Sequence, residues 1–297
     1  MPYAHLFPIS QPGAIKDCLL VLVLSIFSSC QNTSTKASGS DQPAPYSFLV
    51  AGHTYGNPLA TQYGLYPPLV NQIPFFNDYP GLDVGILAGD VVPIKTQAYW
   101  DSARADIDQF AFPIHIAAGN HDRGSVFESF YPYFDSFWKE DDLFIILSPT
   151  NWNIEGEQKE FLMETLRSAT KAANVFIFCH ELIWWSPDNE FSKVKINYKP
   201  HYPGSSNYWS EISPVLAALP NNVVIFAGDL GATAGVSPYM YHQYGNITLI
   251  ATGMGGGRKD NVIITKVDSD GSLSYELLGL KGDYPVELAK LEDYQLR

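Results

Sequence analysis

Cysteine is scarce in this chain. Only Cys18, Cys30 and Cys179 occur, with neither a C-x-x-C pair for zinc nor a disulfide framework. Basic residues are also few, 18 Lys and Arg against 31 Asp and Glu, for a net charge of −13. Such a chain offers no basic face, so no nucleic-acid partner is expected. No apolar run is long enough to cross a bilayer; Cys18–Phe27, CLLVLVLSIF, reaches about ten residues where a spanning helix needs about twenty. Short-period repeats are absent. The glycine-rich stretch Gly253-Met254-Gly255-Gly256-Gly257-Arg258-Lys259 lacks the G-x-x-x-x-G-K-[ST] spacing of a nucleotide-binding P-loop.

What is present is the composition of a globular protein, 46% hydrophobic and 16% charged over 297 residues. The N-terminal apolar run follows Lys16 and suits the core of a signal peptide. Phe27-Ser28-Ser29-Cys30 resembles a bacterial lipobox, in which Cys30 is acylated and becomes the mature N-terminus. The alternative is an ordinary secretory signal or a short anchor. Gln31 to Pro45, QNTSTKASGSDQPAP, has the composition of a flexible tether. The organisation expected is a leader over 1–29, a tether over 30–45 and a folded domain over 46–297. The domain would be held to a membrane of the bacterial cell envelope through lipid alone.

Along the body, apolar runs end abruptly in polar, ligand-type residues. Tyr46–Ala51 leads into Gly52-His53, Val84–Ala88 into Gly89-Asp90, and Phe112–Ala118 into Gly119-Asn120-His121-Asp122. Val175–Cys179 leads into His180 and Val223–Ala227 into Gly228-Asp229. Short continuous apolar runs suit strands buried on both faces. Helical spacing predicts helices over Gln97–Phe110 and Glu157–Ala172 between them. Strands alternating with helices make an α/β sheet, and ligands bind beyond the carboxyl ends of its strands. One donor after a strand is usually structural. Five in succession, all nitrogen or oxygen donors, point to a metal or phosphate site.

The order of these endings resembles the calcineurin-like metallophosphoesterase family, whose motifs run D-x-H, G-D, G-N-H-[DE], a lone His and G-H-x-H. Gly89-Asp90, Gly119-Asn120-His121-Asp122 and His180 match the second, third and fourth. Two motifs depart: Ala51-Gly52-His53 has Ala for the first Asp, and Gly228-Asp229-Leu230-Gly231 has Asp and Gly for the two His. The resemblance spans roughly residues 46 to 280. It implies a four-layer αββα sandwich of two mixed β-sheets flanked by helices. It also implies one well-formed site of Asp90, Asn120, His180 and Asp229, and a depleted second site left with His53 and Asp90. That donor set suits one divalent ion, Mn²⁺, Fe²⁺, Zn²⁺ or Mg²⁺.

The activity so implied is hydrolysis of a phosphate mono- or diester. His121 resembles the family's general acid, Asp122 is either its orienting partner or a turn residue, and His53 is free to contact a phosphoryl oxygen. The glycine-rich turn is either a plain turn or a mount for Arg258 against an anionic substrate group. Between His180 and Asp229, Trp184, Trp185, Tyr198, Tyr202, Tyr208 and Trp209 crowd a stretch broken by prolines, which should be a long loop. That loop is either a lid packed by its own aromatics or a platform for a glycan, making the substrate a phosphorylated small molecule or glycan. His115 reads as a core histidine and His201 as an ordinary loop residue. Asp268-Ser269-Asp270-Gly271 reads as a hairpin turn. Ala51 and Gly231 favour a second reading, a non-catalytic relative binding glycan or protein at the cell envelope.

Overall fold

Among the described residues, twelve strands carry the structure: β1 (Tyr46–Gly52), β2 (Leu82–Ala88), β3 (Ile114–Ile116), β4 (Asp135–Lys139), β5 (Asp142–Ile146), β6 (Asn174–Cys179), β7 (Asn222–Leu230), β8 (Tyr239–Tyr244), β9 (Ile247–Gly253), β10 (Asn261–Val267), β11 (Leu273–Gly279) and β12 (Val286–Ala289). The computed structural model describes residues 43–59, 61–199, 206–282 and 284–296. Cys30, the leader, most of the tether, His201 and Tyr202 lie outside the described residues. Among the described residues no helix is long and apolar enough to cross a membrane.

The strands form two six-stranded sheets, ordered β12-β11-β10-β1-β2-β3 and β4-β5-β6-β7-β9-β8. Both are mixed. β1, β2 and β3 run parallel, as do β5, β6, β7 and β9, while the remaining neighbours pair antiparallel. Alternation along each strand divides the core into three layers. On β1, Phe48 and Val50 face the second sheet, while Leu49 and Ala51 face helices. On β6, Phe176 and Phe178 point inward, and Ile177 and Cys179 point outward. Both faces being covered, these strands read as unbroken apolar runs. The architecture is the four-layer αββα sandwich that the family resemblance implies, where the strand-and-helix order alone predicts an α/β sheet.

The middle layer is aromatic. The Phe48 ring sits 4.8 Å from Phe176, 5.1 Å from Phe144, 5.8 Å from Phe226 and 5.9 Å from Phe178, all in edge-on contacts. Pairs of this geometry add roughly 0.5–1.5 kcal/mol each beyond the area they bury. They fix how far apart the two sheets stand.

Helix Gln97–Ile107 puts Trp100, Ala103 and Ile107 against the outer face of the first sheet. Helix Gly156–Leu166 puts Leu162 and Leu166 against the second. Both stop short of the predicted ends. The second gives way to a 3-10 turn at Ala169–Lys171, where the Ser168 hydroxyl bonds back to the Thr165 carbonyl at 2.8 Å, competing with the next helical turn. His115 is half-buried, stacked 4.1 Å from Phe137, because β3 is an edge strand and covers only part of it. At the hairpin between β10 and β11, Gly271 N–H donates to the Asp268 carbonyl at 2.8 Å.

Candidate metal centre

Four parallel strands deliver the candidate residues to one end of the sandwich. His53 follows β1, Asp90 follows β2 after Gly89, His180 follows β6, and Asp229 lies near the end of β7. His53 and Asp90 both take φ of +52°, in the left-handed region that non-glycine residues seldom occupy. Their loops are tied together: His53 N–H donates to Gly89 O at 3.1 Å, and Tyr55 N–H to Asp90 O at 2.9 Å.

The glycines ahead of these residues mark where the sheets touch. A Cβ on Gly52 would fall 2.4 Å from the Gly228 Cα, and one on Gly228 would fall 1.8 Å from the Ala88 carbonyl oxygen. β1 and β2 belong to one sheet and β7 to the other, so side chains from both reach a common point only because these steps lack one.

The result is a compact polar group inside an apolar body. His53, Asp90 and Asp229 each offer a ligand atom, all within 4.8 Å of one another. His180 lies against the same carboxylates, its Nε2 3.4 Å from Asp90 Oδ2 and 3.7 Å from Asp229 Oδ1; His53 Nε2 is 3.5 Å from Asp90 Oδ2. All four are at most 1% exposed. Yet Asp90 Oδ2, Asp229 Oδ2 and His180 Nε2 have no hydrogen-bond partner. Buried polar atoms without hydrogen bonds are rare in folded proteins, and these three belong to side chains within ion-pair distance of one another, an arrangement that would suit a cation.

Asn120, which the motif match pairs with Asp90 and His180, is exposed on the turn. His53, which the motif order assigns to a separate depleted site, instead shares the group with Asp229. The structure also accounts for the two departures. Ala51 packs with Leu49 and Leu87 on the helix side of β1. Gly231 has φ of +71° and backs onto Gly253, whose carbonyl carbon would meet a Cβ at 2.4 Å. No side chain, histidine included, fits there without displacing β9.

Asp122 is a clamp. Its Oδ1 accepts from Val91 N–H at 2.8 Å and Val92 N–H at 3.1 Å, and its Oδ2 from Gly119 N–H at 2.8 Å. It thereby joins the loops after β2 and β3 that carry Asp90 and His121. His121 is half-buried; its Nδ1–H donates to the Pro93 carbonyl at 2.8 Å, which leaves Nε2 free. The Tyr55 ring stands between the histidines, 4.4 Å from His53 and 5.2 Å from His121.

Two residues here carry no signal in the sequence. Glu181 is a buried carboxylate beside His180, with Oε2 unpartnered. Asn197 comes from the long loop, and its Nδ2 lies 3.2 Å from His53 Nε2 and 3.1 Å from Asp229 Oδ1. Asn197 follows no strand, and only its place in a loop of unusual length could have drawn attention to it. That loop is largely core. Trp184, Trp185 and Tyr208 are buried against the outer face of the second sheet, leaving Trp209 and Tyr198 as its exposed aromatics among the described residues.

The glycine-rich turn after β9 is held in shape. Asp260 accepts from Gly255 N–H at 2.9 Å, Gly257 N–H at 2.8 Å and the Tyr66 hydroxyl at 2.9 Å. Arg258 and Lys259 are exposed and, with Gly231, Val236 and Pro238, line a cavity of about 340 Å³.

Charge in the centre is set by burial and close neighbours. For Asp90, burial favours the neutral acid, but His180, His53 and His121 outweigh it and hold the carboxyl well below the usual range. Burial disfavours a charged His180, yet Asp90 and Asp229 raise it well above an ordinary histidine. Burial pushes His53 down to about 4 and Asp229 up to about 7; burial together with Asp90 pushes Asp122 up to about 6. Without a cation the centre is a buried Asp90–His180 ion pair beside a half-protonated Asp229.

A pH dependence follows. Folded Asp229 keeps its proton up to about pH 7, whereas the unfolded chain releases it near 3.8. Its contribution to metal-free stability therefore falls as pH rises across that window. A divalent ion bound here would take the place of the proton, so its affinity should rise with pH, roughly tenfold per unit for each proton displaced. The cation-induced increase in Tm should grow from pH 6 to pH 8. An increase that is flat or shrinking over that range would rule out Asp229 as a ligand.

No protein-family model and no curated protein matches the chain. Solved structures do. A purple acid phosphatase from seeds of yellow lupin (Lupinus luteus) superposes with a TM-score of 0.59 at 14% identity, over 83% of this chain and 53% of that one. A NAD nucleotidase from Haemophilus influenzae gives a TM-score of 0.40 at 10% identity, over 83% and 54% of the two chains. A predicted phosphoesterase from Streptococcus pneumoniae gives 0.37 at 12%, over 80% and 91%. The chain thus spans about half the length of the lupin phosphatase. That likeness shows the fold alone, an α/β sandwich shared with the lupin phosphatase.

Proposed function

We propose that this chain is a metal-dependent phosphoesterase working at a single, rebuilt cation site outside the cytoplasm. The observation that carries the reading is the meeting of ligand atoms of His53, Asp90 and Asp229 within 4.8 Å, with Asp90 Oδ2 and Asp229 Oδ2 buried and without a hydrogen bond. Two carboxylates and imidazole donors suit Mn²⁺, Fe²⁺, Zn²⁺ or Mg²⁺. Such an ion, when bound, supplies a hydroxide near neutral pH and withdraws charge from a phosphoryl oxygen.

The chain's own residues do the rest. His180 and Asp90 fix the charge of the centre, and Asp122 holds the two loops beside it in register. His121, oriented through Nδ1 by Pro93 O, has Nε2 available to protonate a leaving oxygen. The cavity bordered by Gly231, two residues beyond Asp229, can take the remainder of a substrate, with Arg258 and Lys259 at its edge for an anionic group. A phosphorylated small molecule or glycan fits that chemistry. Cys30, read as a lipidated residue, would hold the domain at a bacterial envelope membrane.

The competing reading is a non-catalytic binding protein at the same location, favoured by Gly231, where the backbone leaves no room for a ligand. Turnover decides between them. The purified chain should hydrolyse an aryl phosphate or a bis-aryl phosphodiester with at least one of the four ions. His121→Ala should lower kcat by roughly 10²–10⁴-fold, the usual contribution of a positioned proton donor, and leave cation affinity unchanged in titration calorimetry. Wild-type turnover in that variant would remove His121 from the mechanism, and no turnover with any ion would leave the binding protein.

A further inference from the structure

The segment that reaches the centre from outside belongs to the loop after β6, and its residues 184–197 are held by hydrogen bonds. Trp185 Nε1–H donates to Val194 O at 3.1 Å, and Asn189 Nδ2–H to Trp184 O at 2.9 Å. Lys195 N–H donates to the Ser237 hydroxyl at 3.0 Å, and Ser237 N–H returns a bond to Lys195 O at 2.7 Å. Ile196 is buried next to Asn197. The backbone at 194–197 is thus seated before Asn197 touches anything.

The contacts of Asn197 have a specific chemistry. The amide NH₂ group of Asn197 lies within hydrogen-bond distance of both His53 Nε2 and Asp229 Oδ1, and both accept from it when His53 carries its proton on Nδ1. These are two of the atoms that would bind a cation. The NH₂ group supplies the partial positive charge that a cation would supply in full. An asparagine amide is nearly symmetric in shape, so rotation about its last bond exchanges NH₂ for the carbonyl oxygen in the same position. Around it, Asp90 Oδ2, Asp229 Oδ2 and His180 Nε2, all buried, still lack partners.

We propose that Asn197 is a metal ligand of this centre: its amide closes the site through NH₂ when no ion is bound and turns to present its oxygen when one enters. The inference rests on the cation site assigned above. It gives the centre an oxygen donor from the loop where the strand ends carry Ala51 and Gly231, and it couples ion binding to the placement of the loop. A set of His53, Asp90, Asp229 and Asn197 is rich in hard oxygen donors, which favours Mn²⁺ and Mg²⁺ over softer ions.

The test is titration of the full-length chain with Mn²⁺ alone, by calorimetry, together with the visible absorption of the Co²⁺-loaded protein. Asn197→Ala should weaken Mn²⁺ by at least the roughly 10–100-fold that loss of even an outer partner brings, and should shift the Co²⁺ bands. Asn197→Asp keeps an oxygen donor and should bind Mn²⁺ as well as wild type or better. A residue that only anchors the loop predicts something different: unchanged Mn²⁺ affinity and Co²⁺ spectrum in both variants. That result would overturn the proposal. Should Asn197→Ala not fold, loss of affinity in Asn197→Asp would overturn it equally. An Asp90→Asn control that loses Mn²⁺ while Asn197→Ala keeps it sinks only the role of Asn197. Absence of divalent binding in wild type sinks the centre itself.

Discussion

Asp90→Asn should abolish specific divalent-cation binding and bring phosphoesterase turnover to background. Asp90 is the hub of the centre. Its Oδ2 faces His53 Nε2 at 3.5 Å and His180 Nε2 at 3.4 Å, and its Oδ1 accepts from His121 N–H at 3.2 Å. Replacing one oxygen by NH₂ keeps the shape and removes both the charge and a donor atom. Loss of a residue merely supporting a ligand lowers affinity about 10–100-fold, so loss of the central ligand should exceed that. The charges of the neighbours should move as well. With the Asp90 anion gone, His180 loses the partner that holds it protonated, and Asp229 and Asp122 lose part of what raises them. Calorimetry with Mn²⁺ and histidine NMR titration measure the two effects. Wild-type Mn²⁺ affinity in Asp90→Asn would remove the centre from its proposed place.

The second large effect concerns a residue with no polar atom in its side chain. Gly228→Ala puts a methyl group 1.8 Å from the Ala88 carbonyl oxygen and 2.9 Å from the Ala88 Cβ, across the line where the two sheets meet. No flexible side chain is available to move aside, so a backbone has to shift. Overpacking of a tight core costs about 1–3 kcal/mol and sometimes more, and contact with backbone places this site at the upper end. For a domain of this size that is a fall in Tm of roughly 6–12 °C. Asp229 is the next residue, so cation affinity should fall with stability. Gly235→Ala is the control: its Cβ would meet nothing nearer than the Thr233 hydroxyl at 4.0 Å, and its Tm should stay close to wild type. Equal melting of the two variants would mean that the sheets do not touch at Gly228.

Much of the fold is legible in the chain because burial on both faces leaves a direct imprint. β1, β5 and β6 are buried at every position, and beyond the buried Ser47, Asp142 and Asn174 at or near their starts they read as apolar runs. The polar residues that follow them stand out for the same reason, since a buried donor at the carboxyl end of such a run breaks its apolar pattern. The helices are legible in outline, and their last turns are not. Ser168 and Thr165 compete for backbone bonds in a way that periodicity does not record. His115 illustrates another limit: its position in a strand is readable, but that the strand is an edge is a property of the sheet.

The centre was legible in part. Asp90, His180, Asp229 and His53 each follow an apolar run and can be found one by one. How they divide among cations is different, because it depends on distances across two sheets. The motif order separates His53 from Asp229, whereas the structure brings both to Asp90 and adds Asn197 from a loop with no pattern of its own. Asp122 sits beside His121 in sequence, yet its oxygens point to three backbone N–H groups, a choice made by the turn.

By itself, then, the order of residues determined buried strands alternating with helices and the strand ends where polar groups collect, because burial dictates residue type strand by strand. Only the tertiary structure decided which of those groups share a point in space. The spacing of the sheets, set by the rings around Phe48 and by the bare contact of Gly52 with Gly228, is a distance between residues far apart in the chain, and no local pattern encodes it.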